Sequence, residues 1–286
     1  MTPLPALFVS HGSPMLALEP GPTGAFLAAL GTTLDRSVGR PRAIVAISAH
    51  STARAPVLLA AARHAAVHDF GGFPPALYAL RYDAPGAPAL AQDVMARLEA
   101  SGYPAHRLDE GGLDHGIWSM LRFIYPEADV PVLPLAWAPS APPAAQFALG
   151  AALAGLTHEG VLVLGTGSIT HNLRRVFARG EADVAAPEVA ESAAFRRWFA
   201  ERSREADWPA LFDYRRQAPH AVDMHPTDEH LLPWFVAAGA GGTGSAPRRI
   251  FESVTYGCLG MDAYAFGPGA GPLEAALSAP QSPGPG

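Results

Sequence analysis

The chain has one cysteine, Cys258, in 286 residues. That excludes an internal disulfide framework and a cysteine-built zinc cage, and it fits a reducing compartment. Charged residues are scarce, at 16% against 49% hydrophobic. Such a composition fills a sizeable core and excludes disorder. The formal net charge is -6 and no basic stripe is present, so nucleic acid is not an expected partner. No apolar run is long enough to cross a bilayer, which leaves no expected membrane partner. The opening MTPLPALFVSHGSPM lacks a basic stretch followed by a long apolar one, so it does not read as a signal peptide. The expectation is a soluble cytoplasmic protein. Several catalytic signatures are also missing. There is no HExxH of a zincin and no GxSxG elbow of a hydrolase, the nearest match being GTGSI. The Gly165-Thr166-Gly167-Ser168 turn lacks both the lysine of a P-loop and the GxGxxG spacing.

What the chain does have is histidine at the ends of apolar runs. His11 follows ALFVS, His50 follows AIVAISA and His171 follows VLVLGTGSIT, while His115 sits in LDHGIW. Strand ends of an open α/β sheet deliver side chains into a cleft. Several imidazoles delivered there together point to a metal centre with acid–base assistance. Imidazole suits Fe(II), zinc and copper, and a three-ligand site with open positions is catalytic rather than structural.

Strands are predicted at 6–10, 43–49, 57–60, 130–137 and 161–164, with a β-rich segment over 249–266. Helices are predicted at 21–30, 87–100, 116–125, 144–156, 188–201 and 227–238, the last with Thr227 as its N-cap and His230 in its first turn. Alternating strands and helices make the class α/β: a single domain with a central, mostly parallel or mixed sheet sandwiched between helices. That domain is expected over 1–272, followed by a Pro/Gly-rich tail over 273–286 whose end, QSPGPG at 281–286, is frayed. GAGGTGSA at 239–246 reads as a flexible loop.

Each histidine also has a plainer reading. His11 alone could be a turn residue bonded to backbone, and Asp114 could either orient His115 or cap the helix that follows. His225, before Pro226, reads as a surface residue, as do His64, His106, His158 and His220. His68 is intermediate, because the DFGGF loop it opens carries groups suited to lining a pocket.

Seven segments in order, nearly end to end, resemble the class III extradiol ring-cleavage dioxygenases of the 4,5-DOPA dioxygenase type. They are SHGSPM at 10–15, the SAH ending at His50, HDFGGFPPALY at 68–78, YDAPGAPALA at 82–91, LDHGIWSML at 113–121, GSITHNLR at 167–174 and HPTDEHLLPW at 225–234. The resemblance implies one α/β domain with a mixed sheet between helical layers. It implies that His11, His50 and His230 bind the metal, that His171 is the acid–base histidine beside it or a further ligand, and that His115 faces the substrate oxygens. Asp228 and Glu229 leave a carboxylate third ligand open. The reaction implied is Fe(II)-dependent opening of a small aromatic diol, a catechol, by O2 to a semialdehyde, with zinc able to occupy the site in purified protein. Phe70, Phe73 and Trp118 are candidates for the walls around the ring, Trp118 being equally suited to core packing. Arg174, Arg175 and Tyr214 are candidates to meet a substrate carboxylate. The rival readings are a zinc hydrolase on the same histidines and a Memo-like binding protein without enzymatic activity. A homo-oligomer is compatible with all of them.

Overall fold

The computed structural model describes residues 2–178 and 183–279. Its centre is an eight-stranded sheet. In chain order the strands are β1 (Ala6–Ser10), β2 (Ala43–Ser48), β3 (Val57–Leu59), β4 (His106–Leu108), β5 (Val132–Ala136), β6 (Val161–Gly167), β7 (Arg248–Phe251) and β8 (Ala263–Phe266). Their spatial order is β4-β3-β5-β2-β6-β1-β8-β7. The four middle strands, β5, β2, β6 and β1, are mutually parallel. β3 runs antiparallel to β5, and β8 antiparallel to both β1 and β7, so the sheet is mixed.

All residues of β1, β2, β5 and β6 are buried. Strands covered on both faces read as continuous apolar runs, which is why these four are visible in the sequence. Successive residues point to opposite faces. Ala6 and Phe8 join one core with Val94, Leu149, Phe199 and Trp234, while Leu7 and Val9 join another with Leu30, Ile117, Leu121 and Leu273. The first face is covered by helices α2 (Pro88–Ala100), α4 (Pro143–Ala151), α5 (Ala190–Arg204) and α6 (Leu232–Gly241); the second by α1 (Gly21–Ser37), α3 (His115–Ile124) and α7 (Ala270–Ser278). The result is three layers, α/β/α.

Three local expectations change. The last long helix starts at Leu232, not Thr227, and has no side-chain cap. Pro233, which lacks an N–H, sits in its first turn, and the Thr227 hydroxyl instead donates to Glu229 Oε1. Residues 239–241, expected to be loop, finish that helix. They are held by close backbone approach: a Cβ on Gly239 would lie 1.9 Å from the Phe147 carbonyl oxygen of α4. Helix α7 crosses the boundary expected at residue 272, with Leu273 wholly buried. The expected frayed end at 281–286 lies outside the described residues.

Candidate metal centre

The carboxyl ends of β1, β2 and β6 finish side by side, and the ladder continues past them. The His11 N–H donates to the Gly167 carbonyl at 2.9 Å, and the Ala49 N–H to the Thr166 carbonyl at 3.1 Å. Ser168 N–H donates to the His230 carbonyl at 2.8 Å, drawing the loop before α6 to the same place. Four distant segments therefore bring His11, His50, His171 and His230 together, and His115 joins them from the first position of α3. The His11 ring lies 5.0 Å from His50 and 5.4 Å from both His115 and His230, centroid to centroid. His171 stacks on His230 at 3.5 Å.

The ring hydrogens can be assigned from the partners. His230 Nδ1 lies 3.1 Å from Glu229 Oε1, a carboxylate that can only accept, so Nδ1 carries the hydrogen. His230 Nε2 is left as a bare lone pair, buried and without a partner. His115 is held the same way: Asp69 Oδ1 accepts from its Nδ1 at 2.9 Å and from its backbone N–H at 3.0 Å. His11 Nδ1 contacts Thr166 Oγ1 at 2.7 Å, and His11 Nε2 lies 3.0 Å from His50 Nε2. Two nitrogens ligating one ion at about 2.1 Å each stand about 3 to 3.5 Å apart. The donor atoms of His11, His50 and His230 all lie within 4.8 Å of one another. An all-imidazole set with an orphaned buried Nε2 fits a borderline-soft divalent ion.

Asp228 and Glu229, kept open as alternative ligands, are engaged elsewhere. Asp228 accepts from the Tyr214 hydroxyl at 2.6 Å and pairs with Arg215. Glu229 accepts from Thr227 and His230. A second group, His50, Asp69 and His115, also has its donor atoms within 4.8 Å. Asp69 Oδ1 accepts two bonds from His115, while Oδ2 lies 3.9 Å from His50 Nδ1.

Burial dominates the electrostatics. It pushes His11, His171 and His230 well below the ordinary imidazole value, and the neighbouring rings add to the effect. It brings His50 down to about 4. His11, His50, His171 and His230 are therefore neutral near pH 7, the state in which imidazole binds metal or accepts a proton. Burial opposes ionisation of Asp69, but the hydrogen bond and charge of His115 outweigh it and hold this carboxyl at about 2.

A cavity of about 800 Å³ opens onto these rings, lined by His50, His115, His171 and His230 together with Phe70 and Phe73. Phe70 meets the His115 ring edge-on at 5.5 Å. Trp118 does not line the cavity. It is fully buried, its indole N–H donates to the Val67 carbonyl, and it packs in the core. Arg174, Arg175 and Tyr214 do not line it either. Arg175 pairs with Asp223 and Glu191, and Tyr214 is buried.

Two histidines read as surface residues are interior. His225 is 0% exposed, and its Nε2–H donates to the Ile169 carbonyl at 2.8 Å, clamping the turn that leads to His171. His64 is 1% exposed and bonds the Gly111 carbonyl. His106, His158 and His220 are exposed. Asp114 occupies the N-cap position of α3 without a capping bond. It accepts instead from Ser48 and Ser51, tying the end of β2 to the helix carrying His115. Of the groups that orient the rings, Asp69 and Thr166 were not singled out from the sequence, and Glu229 stood there only as an alternative ligand. Glu229 could have been read from its place beside His230, but nothing local marks Asp69 or Thr166 as partners of residues 46 and 155 positions away.

An α/β sheet whose strand ends gather imidazoles that could hold a metal ion, beside an aromatic-walled cavity, has the form of a metal-dependent enzyme site. Residues 5–267 match the family described as the catalytic LigB subunit of aromatic ring-opening dioxygenase, and the chain belongs to that family. It is similar to the 4,5-DOPA dioxygenase extradiol of Beta vulgaris, with 34% identity over 91% of this chain and 95% of that one. It is similar also to the Escherichia coli K12 protein of the same name, with 36% identity over 91% and 93%. A crystal structure of an uncharacterized protein from Escherichia coli K12 superimposes with a TM-score of 0.74 at 30% identity, covering 92% of this chain and all of that one. The protein is an extradiol dioxygenase. Among its described residues no helix is long and apolar enough to cross a membrane.

Proposed function

We propose that the protein opens the ring of a catechol with O2, using Fe(II) held by His11, His50 and His230 through their Nε2 atoms. The observation that carries the reading is the convergence of these three nitrogens beside a cavity lined by His50, His230, His115, His171 and the rings of Phe70 and Phe73. When bound, the ferrous ion supplies the electron-accepting and electron-donating centre that spin-paired organic substrates need to react with O2. Zinc binds imidazole more tightly in general but has no redox chemistry, so zinc-loaded protein is inactive in ring opening.

The chain's own work is proton handling and positioning. A catechol must lose hydroxyl protons on binding, and a proton must return as the ring opens. His171, kept neutral by burial, is the first acceptor. His115 faces the cavity with its Nδ1–H tied to Asp69, which leaves Nε2 to accept from, or donate back to, a substrate oxygen. Phe70 and Phe73, packed edge-to-face on each other at 5.3 Å, form one apolar wall for the planar ring and keep bulk water off that side. The product is a ring-opened semialdehyde acid holding both oxygen atoms of O2. The buried single thiol agrees with a reducing, cytoplasmic setting.

The test is anaerobic reconstitution with Fe(II), followed by a panel of catechols and then O2. Oxygen uptake stoichiometric with a yellow product supports the reading. Turnover of ester or amide substrates by zinc-loaded protein under nitrogen, with no oxygen uptake in the iron form, replaces it with a hydrolase.

A further inference from the structure

We propose that Thr166 is a positioning residue of the metal centre: its hydroxyl locks His11 into the one tautomer that presents a bare Nε2 to the ion. This rests on the reading of His11 as a ligand. A hydroxyl has a single hydrogen. That of Thr166 is committed, because Thr166 Oγ1 lies 2.8 Å from the Gly116 carbonyl oxygen, which can only accept. Toward His11 Nδ1, at 2.7 Å, Oγ1 must therefore be the acceptor. His11 Nδ1 then carries the hydrogen, and the lone pair falls on Nε2, the atom 3.0 Å from His50 Nε2. Two lone pairs facing at that distance repel unless a cation or a proton lies between them.

All of the parts are buried. Thr166 is 0% and His11 1% exposed, so no water competes for these bonds. The fit is tight: a Cβ on Gly116 would stand 3.0 Å from two atoms of the His11 ring. The arrangement joins three elements in one proton chain, from the His11 ring after β1 through the end of β6 to the first turn of α3. His230 obtains the same tautomer from a charged neighbour, Glu229. Thr166 achieves it with a neutral group whose direction is set by a backbone carbonyl. Groups that orient ligating imidazoles this way typically carry a ten- to hundredfold effect on metal affinity.

The experiment is a zinc competition titration of the full chain against a chromophoric chelator, for wild type, Thr166→Val and Thr166→Ser. It is paired with nitrogen-resolved NMR of the histidine rings in the zinc-loaded proteins. Valine keeps the β-branched shape of a buried strand and removes both bonds; serine keeps the hydroxyl. Thr166→Val should bind zinc about ten- to a hundredfold more weakly, and Thr166→Ser should bind within a few fold of wild type. The His11 Nδ1–H signal should be present in wild type and serine and altered or lost in valine. A folded Thr166→Val protein with wild-type zinc affinity overturns the proposal. So does a wild-type spectrum showing His11 protonated at Nε2, a result that does not depend on the valine variant folding. Wild-type protein that binds no zinc overturns the metal reading itself, which separates the two failures.

Discussion

His171 lies flat on His230, with ring centroids 3.5 Å apart and planes 8° from parallel. His230 keeps a buried Nε2 without a hydrogen-bond partner, and both rings line the cavity. Protonating either ring places a charge against its neighbour in a buried site, so both stay neutral. In the proposed function, ligation falls on His230 and proton transfer on the ring stacked against it. His171→Ala should lower turnover about a hundred- to ten-thousand-fold while iron content stays at the wild-type level. His171→Phe, which keeps a flat ring against His230, should lose turnover to the same extent. Steady-state oxygen uptake alongside metal analysis checks both variants, and full activity in either at normal iron content removes His171 from the chemistry.

Gly116 should tolerate no side chain. An alanine Cβ would meet Ser48 Oγ at 2.6 Å and the His11 ring at 3.0 Å. Alanine ordinarily favours a helix by about 1 kcal/mol over glycine. Here the overpacking should dominate and destabilise by about 1–3 kcal/mol, with weaker metal binding. Denaturant unfolding together with a zinc titration measures both effects. Unchanged values for each would mean that the first turn of α3 is free to shift away from His11.

The buried fork between Arg196 and Asp262 should be a main support of the sheet edge. Arg196 Nε and Nη2 donate to the two Asp262 oxygens at 2.8 and 2.9 Å, and the Asp262 carbonyl accepts from Ser10 Oγ one residue before His11. Asp262→Ala leaves a buried guanidinium short of its partner and should cost about 3–5 kcal/mol in equilibrium unfolding. A loss below about 1 kcal/mol would show that Glu188 and Glu252, which also pair with Arg196, satisfy it without Asp262.

Acid should destabilise the metal-free protein well above the carboxylate range. Burial pushes His225 and His50 down to about 4. The unfolded chain takes up these protons near pH 6.5, whereas the folded chain refuses them until about 4. Stability is therefore level above about pH 6.5 and falls as the pH drops toward 4, by roughly 3 kcal/mol for His225 alone. Unfolding midpoints across this window measure the slope. His225→Gln, which retains a donor for the Ile169 carbonyl, should flatten it, and an unchanged slope in that variant would acquit His225.

How far the sequence could be read follows from which signals are local. The strands that deliver His11, His50 and His171 were legible because burial on both faces makes them unbroken apolar runs. The assembly of His11, His50 and His230 came from motif order across the chain, not from spacing. His225 and His64 were misread because a histidine beside Pro226, or among polar neighbours, carries no mark of the backbone carbonyl it meets after folding. The start of α6 was misplaced because Thr227 has the chemistry of a cap, while its hydroxyl is used by Glu229. Trp118 illustrates the same limit: an aromatic on an apolar helix looks alike whether it faces a cavity or the core.

The most direct measurement is a crystal structure of the zinc- or iron-loaded protein with the ion located by anomalous scattering. One strong peak is expected about 2.1 Å from Nε2 of each of His11, His50 and His230, with His171 and His115 facing the cavity beside it. A peak bound instead by Asp69, His50 and His115, with His11 and His230 left outside the coordination sphere, would contradict the three-histidine site.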